Sequence, residues 1–312
     1  MGAPVKRPVA VVGPTATGKT ALGIELALAL GGEVVNADAM QLYRGMDIGT
    51  AKATEEERRG VPHHLLDVLD VEQAASVAAY QTHARARIES LLAEDTVPVL
   101  VGGSGLYVQA VIDDLRFPGT NPGVRAELDR QATEQGSAAM HARLAAADPE
   151  AAAAILPTNI RRIVRALEVI EITGKPFSAN LPKPGSPRYG TVLVGVDRAS
   201  AELDERVDRR VGLMFDAGLV SEVRDLVEVG LREGKTASRA LGYQQVLAAM
   251  DEAGGTGELT EAQTEAAAAA TAQATRRFVR KQRSWFRRDD RIRWFDGAEE
   301  GLTDHVLSSL DP

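Results

Sequence analysis

The sequence contains no cysteine. That excludes disulfides, thiolate zinc sites and a cysteine nucleophile. No apolar run approaches the roughly 18 residues of a membrane span. Met1 to Pro8 is short and broken by two prolines, so no apolar core of a secretory leader is visible there. A cytoplasmic enzyme is therefore expected. No internal repeat is evident.

The chain has 312 residues, 44% hydrophobic and 26% charged. That suffices for an α/β core of ordinary size plus an insertion, or for two domains. Net charge is −8, which taken alone argues against nucleic acid. Its distribution argues the other way. Between Arg276 and Arg293 there are nine Arg/Lys and two Asp, a local charge of +7, so the remaining 294 residues carry −15. A concentrated basic segment on an acidic body suggests a defined polyanion contact.

Gly13-Pro14-Thr15-Ala16-Thr17-Gly18-Lys19-Thr20 fits the phosphate-binding loop pattern G-x-x-x-x-G-K-[ST]. Pro8 to Val12 ahead of it is an apolar, β-branched run that predicts a buried strand. Ala21 to Leu30 behind it is rich in Ala and Leu and predicts a helix. Loop amides and the helix N-terminus would face phosphate oxygens, Lys19 would place an ammonium on the terminal phosphate, and the Thr20 hydroxyl would ligate Mg²⁺. The motif identifies a polyphosphate but not which one.

Glu33 to Asn36 predicts a second strand, closed by Asp38. Ala39 to Lys52 reads as a loop, since Gly45 and Gly49 deny it regular helix. A helix follows at Ser76 to Ala93 and a third strand at Val97 to Val101. In nucleotide hydrolases such a strand ends in the aspartate of the Mg²⁺ shell; this one stops at Gly102-Gly103-Ser104-Gly105. Residues 117–187 read as a helical insertion, opened by Pro118 and Pro122 and closed by Pro182, Pro184 and Pro187. Its helices are expected at 124–135, 138–147 and 161–171, with Gly174 as a stop. The core is then 1–116 and 188–312. A fourth strand at Thr191 to Val196 precedes Asp197, read as the cap of a helix at 202–217 or as the missing Mg²⁺ aspartate. Further helices are expected at 220–229 and 238–250. After a Gly-rich turn at 254–257, a long helix runs over 261–288. On it Arg276, Arg280, Arg283 and Arg287 share one face, with Phe278 and Trp285 on a neighbouring one. The fold class is α/β, a parallel sheet of the P-loop NTPase kind.

Asp38 closes a strand expected beside the phosphate loop. A carboxylate there can accept a proton, hold Mg²⁺ through water or bond an amine; a turn or cap aspartate is the plain alternative. Arg44 and Lys52 suit phosphate neutralisation or exposed ion pairs. His63-His64 looks like a metal pair, but adjacent side chains diverge and no third His lies nearby, so structural histidines are expected. Arg239 reads as a lone arginine at a helix start.

These motifs resemble the tRNA dimethylallyltransferase family through most of the chain. GPTATGKT is similar to its phosphate loop and NADAMQLYRGMDIGTAK to its second signature. PHHLLD, VGGSGLYVQA, NIRRIVRALEVIEITGKPFS, RALGYQQ and TRRFVRKQRSWFR follow in the family's order. The resemblance implies transfer of a dimethylallyl group from its diphosphate to N6 of the adenosine 3′ to the anticodon, with Mg²⁺. It implies that Asp38 takes the N6 proton, that Arg239 lies on the diphosphate side, and that Asp38, Ala39, Met40 and Gln41 border the adenine. Ser104 stands where the family usually has Thr, so the hydroxyl survives. Arg125 and the run Arg161, Arg162, Ile163, Val164 and Arg165 would touch the anticodon arm. Thr275, Arg276, Arg280, Lys281, Gln282 and Trp285 would grip the stem. Partners are then tRNA and dimethylallyl diphosphate, with no membrane, and a monomer is expected.

Three other readings compete. An adenylate isopentenyltransferase shares the loop and the chemistry but has no need of the basic helix or the insertion. A small-molecule kinase of the P-loop class needs ATP turnover and a lid of arginines. A non-catalytic RNA-binding protein has no use for Lys19 and Thr20.

Overall fold

The computed structural model describes residues 7–180, 185–255 and 258–310. The N-terminal stretch Met1 to Lys6, Pro182 and Pro184, and the end of the Gly-rich turn at Thr256 and Gly257 lie outside the described residues. The chain divides into two compact units: Met1–Ile112 with Ser186–Pro312, and Asp113–Gly185 between them.

In chain order the first unit begins with β1 (Val9–Val12), α1 (Lys19–Leu30), β2 (Gly32–Asn36), α2 (Glu55–Arg58), β3 (His63–His64), α3 (Val77–Ala93), β4 (Val97–Gly102) and α4 (Gly105–Ile112). The second holds α5 (Pro122–Ala147), α6 (Pro149–Ala154) and α7 (Ile160–Thr173). The first then resumes with β5 (Val192–Asp197), α8 (Ser200–Asp216), α9 (Leu219–Glu228), α10 (Tyr243–Glu252), α11 (Glu261–Phe286), β6 (Arg293–Asp296) and α12 (Leu302–Leu310).

The six strands form one parallel sheet in the order β3-β2-β4-β1-β5-β6. Every residue of β1 is buried because helices cover both faces. Ala10 and Val12 pack on one face against α3 and α4, while Val9 and Val11 pack on the other against α1. Register sets Val12 level with Gly102 of β4 and Gly195 of β5. The segments after β1, β2, β4 and β5 therefore leave the same sheet edge, where α/β folds keep ligands. No helix of the described residues is long and apolar enough to cross a membrane.

The two helices expected at 124–135 and 138–147 are found within Pro122–Ala147, divided at Gly136, whose φ of 79° and ψ of 165° are not helical. Other expectations on elements need correcting. The stretch expected as a helix from Ser238 is a 3₁₀ turn at Ala237–Arg239; Gly242, at φ 89°, precedes the helix proper. The edge strands β3 and β6 and the helices α2, α4, α6 and α12 had no clear sequence signal. β3 is two residues long, and β6 reads Arg-Trp-Phe-Asp with little burial.

The second unit packs Leu128, Met140 and Leu144 against Ile163 and Leu167. Gly174 ends α7 in the left-handed conformation, as its position predicts. Glu168 is fully buried and accepts from Arg125 at 2.9 Å, Arg165 at 2.7 Å and the Asn121 amide at 3.2 Å. Burial works to raise its pKa, but these donors outweigh that and hold the carboxyl below its usual range. The stabilisation is complete at neutral pH and is lost as pH falls through the folded value. Glu168→Ala should cost about 2 kcal/mol. That is less than a fully buried pair because both arginines reach solvent. Thermal unfolding at pH 7 measures it, and an unchanged midpoint would rule it out.

Candidate active site

The phosphate loop leaves β1 and turns at Gly13, Ala16 and Gly18, all at positive φ. Thr17 is buried and its hydroxyl donates to the Pro14 carbonyl at 3.0 Å. Gly18 caps α1 without a side-chain bond, and no acidic residue occupies the first turn. The first amides of α1 are thus left for an external anion. The loop is braced from outside by three arginines. Arg198 donates to Thr17 O at 3.2 Å, Arg206 to Ala16 O at 2.8 Å and Arg210 to the Thr15 hydroxyl at 3.2 Å.

Lys19 is buried and donates to the Pro14 carbonyl. Burial, with the Arg210 charge added, lowers its pKa to about 7, although Asp38 and Asp197 pull it up. Thr20 is exposed, and among the described residues its hydroxyl has no bonding partner.

Asp38 emerges two residues after β2. Its Oδ1 accepts the Met40 amide at 2.9 Å, and Asn36 holds its own amide at 2.9 Å and its carbonyl at 3.0 Å. The turn role is real, and it aims the residue: Asp38 lines both a small inner pocket with Thr15, Lys19, Thr20 and Arg210 and an adjoining cavity of about 450 Å³. That cavity is also lined by Ala39, Met40, Gly49, Thr50, Ser104, Met214, Arg239, Leu241, Thr275, Phe278 and Gln282. The Ser104 hydroxyl accepts the Ala39 amide at 3.1 Å, so it positions the loop while its proton remains to donate. Gln41 lines the inner pocket, its amide nitrogen donating to Thr50 O at 3.1 Å. Arg239 sits exposed on the cavity rim. Arg210 is the arginine that borders the inner pocket, the cavity and a 660 Å³ outer cleft with Gly18, Thr20, Arg206 and Arg209. Sequence reasoning passed over it; its i, i+4 spacing from Arg206 on α8 was the available signal.

Several other candidates take structural roles. Lys52 is buried on Tyr43 O, Asp47 and Asp67, at 3.0, 2.5 and 2.5 Å, and Arg44 pairs with Asp70 at the surface, so neither reaches the phosphate loop. His63 bonds the Val61 carbonyl and His64 bonds Glu33. Asp197 does not cap α8, whose N-cap is Ala199. It instead accepts Arg283 at 2.8 Å and Arg287 at 3.2 Å.

The basic helix divides in two. The face expected to meet RNA is turned to α8: Arg276 pairs with Asp208, Arg280 with Asp204 at 3.6 Å, and Arg283 and Arg287 with Asp197. A second stripe, Arg277, Lys281 and Arg288, is exposed and, among the described residues, has no acidic partner. Phe278 and Trp285 are partly exposed beside it. Gln282 has a structural role as well as a place in the cavity lining. It is buried, accepts the Thr15 amide at 3.0 Å and donates to Gly103 O at 2.9 Å, clamping α11 to the phosphate loop. Gly103 admits it: a Cβ there would lie 2.4 Å from the amide nitrogen. On the second unit Ile163 and Val164 are buried in the helical core and offer no side chain. Arg125 and Arg165 serve Glu168, whereas Arg161 and Arg162 are exposed.

One expectation follows from Lys19. At pH 8 most of the ligand-free protein carries it neutral, and a bound diphosphate restores the ammonium. Binding of inorganic diphosphate at pH 8 should take up about nine-tenths of a proton, and affinity should fall about tenfold per unit above pH 7. Calorimetry in buffers of different ionisation enthalpy reads the uptake; a value near zero, or one retained in Lys19→Arg, rules it out.

The model of the IPP transferase family matches residues 41–289. A tRNA dimethylallyltransferase of Saccharopolyspora erythraea is 66% identical over 305 residues, 98% of this chain and 96% of that protein. One from Nocardia farcinica is 61% identical over 303 residues, 97% and 94% of the two chains. The crystal structure of the full-length tRNA isopentenylpyrophosphate transferase of Bacillus halodurans matches with a TM-score of 0.70 at 37% identity, covering 98% of this chain and 97% of that one. Likeness of this extent, on a fold that brings the phosphate loop and Asp38 to one cavity, makes the chain a member of the IPP transferase family, an enzyme of the prenyltransferase class.

Proposed function

We propose that this enzyme transfers the dimethylallyl group of dimethylallyl diphosphate to N6 of the adenosine 3′ to the anticodon of tRNA. The observation that carries the assignment of roles is that Lys19 and Asp38 line the same cavity. One supplies positive charge to a leaving diphosphate, the other a carboxylate to an incoming amine. In the step, the bond from the allylic carbon to the diphosphate oxygen breaks with its electron pair going to oxygen. N6 supplies the pair for the new C–N bond, and its proton passes to Asp38. The amine is a weak nucleophile because its lone pair is delocalised into the ring, so proton removal at Asp38 is worth about 10²–10⁴ in rate. Lys19, Arg210 and the loop amides balance charge growing on the departing oxygen. Val207, Val211 and Met214 give the cavity an apolar side for the hydrocarbon.

The phosphate loop implies Mg²⁺, and the residues fit a hydrated ion. Thr20 offers a free hydroxyl, Asp38 lines the same inner pocket, and among the described residues there is no cluster of three His, Asp or Glu to form an all-protein cage. Such a donor set suits an ion that keeps waters and takes substrate phosphate oxygens. When bound, the ion adds positive charge at those oxygens.

Two outcomes test the reading. Asp38→Asn should lower kcat by about 10²–10⁴ while tRNA binding stays within a few-fold. Single-turnover transfer and filter binding measure both, and near-normal turnover would reject Asp38 as the base. For the acceptor, Arg277→Ala and Lys281→Ala should each reduce the slope of log affinity against log salt by about 1. Arg276→Ala should change it less, since its charge is already neutralised by Asp208. The reverse ranking would return the RNA to the α8-facing stripe.

A further inference from the structure

Glu222 lines none of the three cavities, and the transfer step does not call on it. Yet its carboxylate takes four donors. Oε2 accepts the amides of Asp47 at 3.1 Å and Ile48 at 2.7 Å. Oε1 accepts the amide of Gly49 at 3.2 Å and the hydroxyl of Tyr243 at 2.6 Å. Three successive backbone N–H groups converging on one carboxylate form an anion nest, here filled from another element, α9.

What the carboxylate joins matters more than how many bonds it makes. Gly49 and Thr50 lie on one wall of the 450 Å³ cavity, and Thr50 O holds the amide of Gln41. Arg239, Ala240 and Leu241 form another wall, and Tyr243 follows them by two residues. Glu222 therefore ties the loop that starts at Asp38 to the turn that carries Arg239. The tie is tight. Tyr243 is fully buried with its ring against the Gly49 backbone, where an added Cβ would lie 2.4 Å from Cε2 and 2.9 Å from a Leu219 methyl. Burial, then the Glu222 charge beside it, raises the pKa of the Tyr243 phenol, so it stays a donor at every working pH.

We propose that Glu222 is a positioning residue for the transfer: it sets the width of the acceptor cavity by bonding both walls, and so fixes where the adenine amine stands relative to Asp38. The inference rests on the reading that this cavity receives the adenosine. A displacement of about 1 Å at a reacting pair costs on the order of a hundredfold in rate, which makes the width of that cavity a kinetic quantity. The donor's diphosphate is held by the phosphate loop, which Glu222 does not touch, so the effect must be confined to the acceptor side.

The test uses the full-length enzyme with tRNA and dimethylallyl diphosphate. Glu222→Gln keeps the shape but turns an NH₂ toward backbone donors. Gly49→Ala leaves Glu222 charged and forces a methyl against Tyr243. Each should lower kcat by more than about fivefold with the donor KM within about twofold of the wild type. Tyr243→Phe removes one donor of four and should fall between them and the wild type. A smaller loss of kcat in either of the first two variants, or a donor KM that moves more than twofold, overturns the proposal, whatever happens to the melting temperature. Should Glu222→Gln fail to fold, Gly49→Ala and Tyr243→Phe still decide it. Wild-type enzyme that transfers nothing to tRNA would instead sink the assignment of the cavity, a separate failure.

Discussion

Lys19 is an ammonium buried at the start of a helix, and among the described residues no carboxylate lies within ion-pair distance of it. A buried charge without a partner is costly, and much of the surrounding structure manages that cost. The Pro14 carbonyl takes the nitrogen, α1 begins with no acid that would fill the anion position, and three arginines hold the loop rigid from outside. Burial, with the charge of Arg210 added, also keeps the Lys19 pKa low. The site therefore suits a bound anion, the role proposed above for the diphosphate.

The Asp38 side of the cavity follows a different logic, in which carboxylates bind backbone donors. Asp38 closes a turn on Met40, and Glu222 gathers three amides and a phenol. Gln282, neutral and buried, does similar work between α11, the phosphate loop and Gly103. The helix that carries the exposed basic stripe is thereby bonded directly to the phosphate loop. One neutral side chain joins the two elements without contributing charge to either.

The basic segment illustrates how an accurate sequence observation can leave the partners of a helix face hidden. Nine cations in a row of eighteen residues is a fact of composition, and the i, i+4, i+7, i+11 spacing of Arg276 to Arg287 is a fact of periodicity. Neither reveals that Asp197, Asp204 and Asp208 stand opposite, because those residues come from β5 and α8, far away in the chain. The burial of Ile163, Val164 and Gln282 is hidden from the sequence for the same reason. A run that belongs to a motif need not turn every side chain outward, and burial is decided by what packs against the helix.

Local patterns determined a good deal unaided. The phosphate loop between strand and helix, the second strand ending at Asp38, the glycine stop after the third and the helical character of the inserted segment are all written in residues a few places apart, where backbone preference and hydrophobic period act directly. Tertiary structure alone decided that Arg210 borders the pocket at the phosphate loop, that Glu222 binds a loop more than 170 residues upstream, and which arginines of α11 find acidic partners. Those are pairings between elements remote in sequence. They depend on how a parallel sheet orders its strands and which helices it sets side by side, and no single stretch of the chain carries that information.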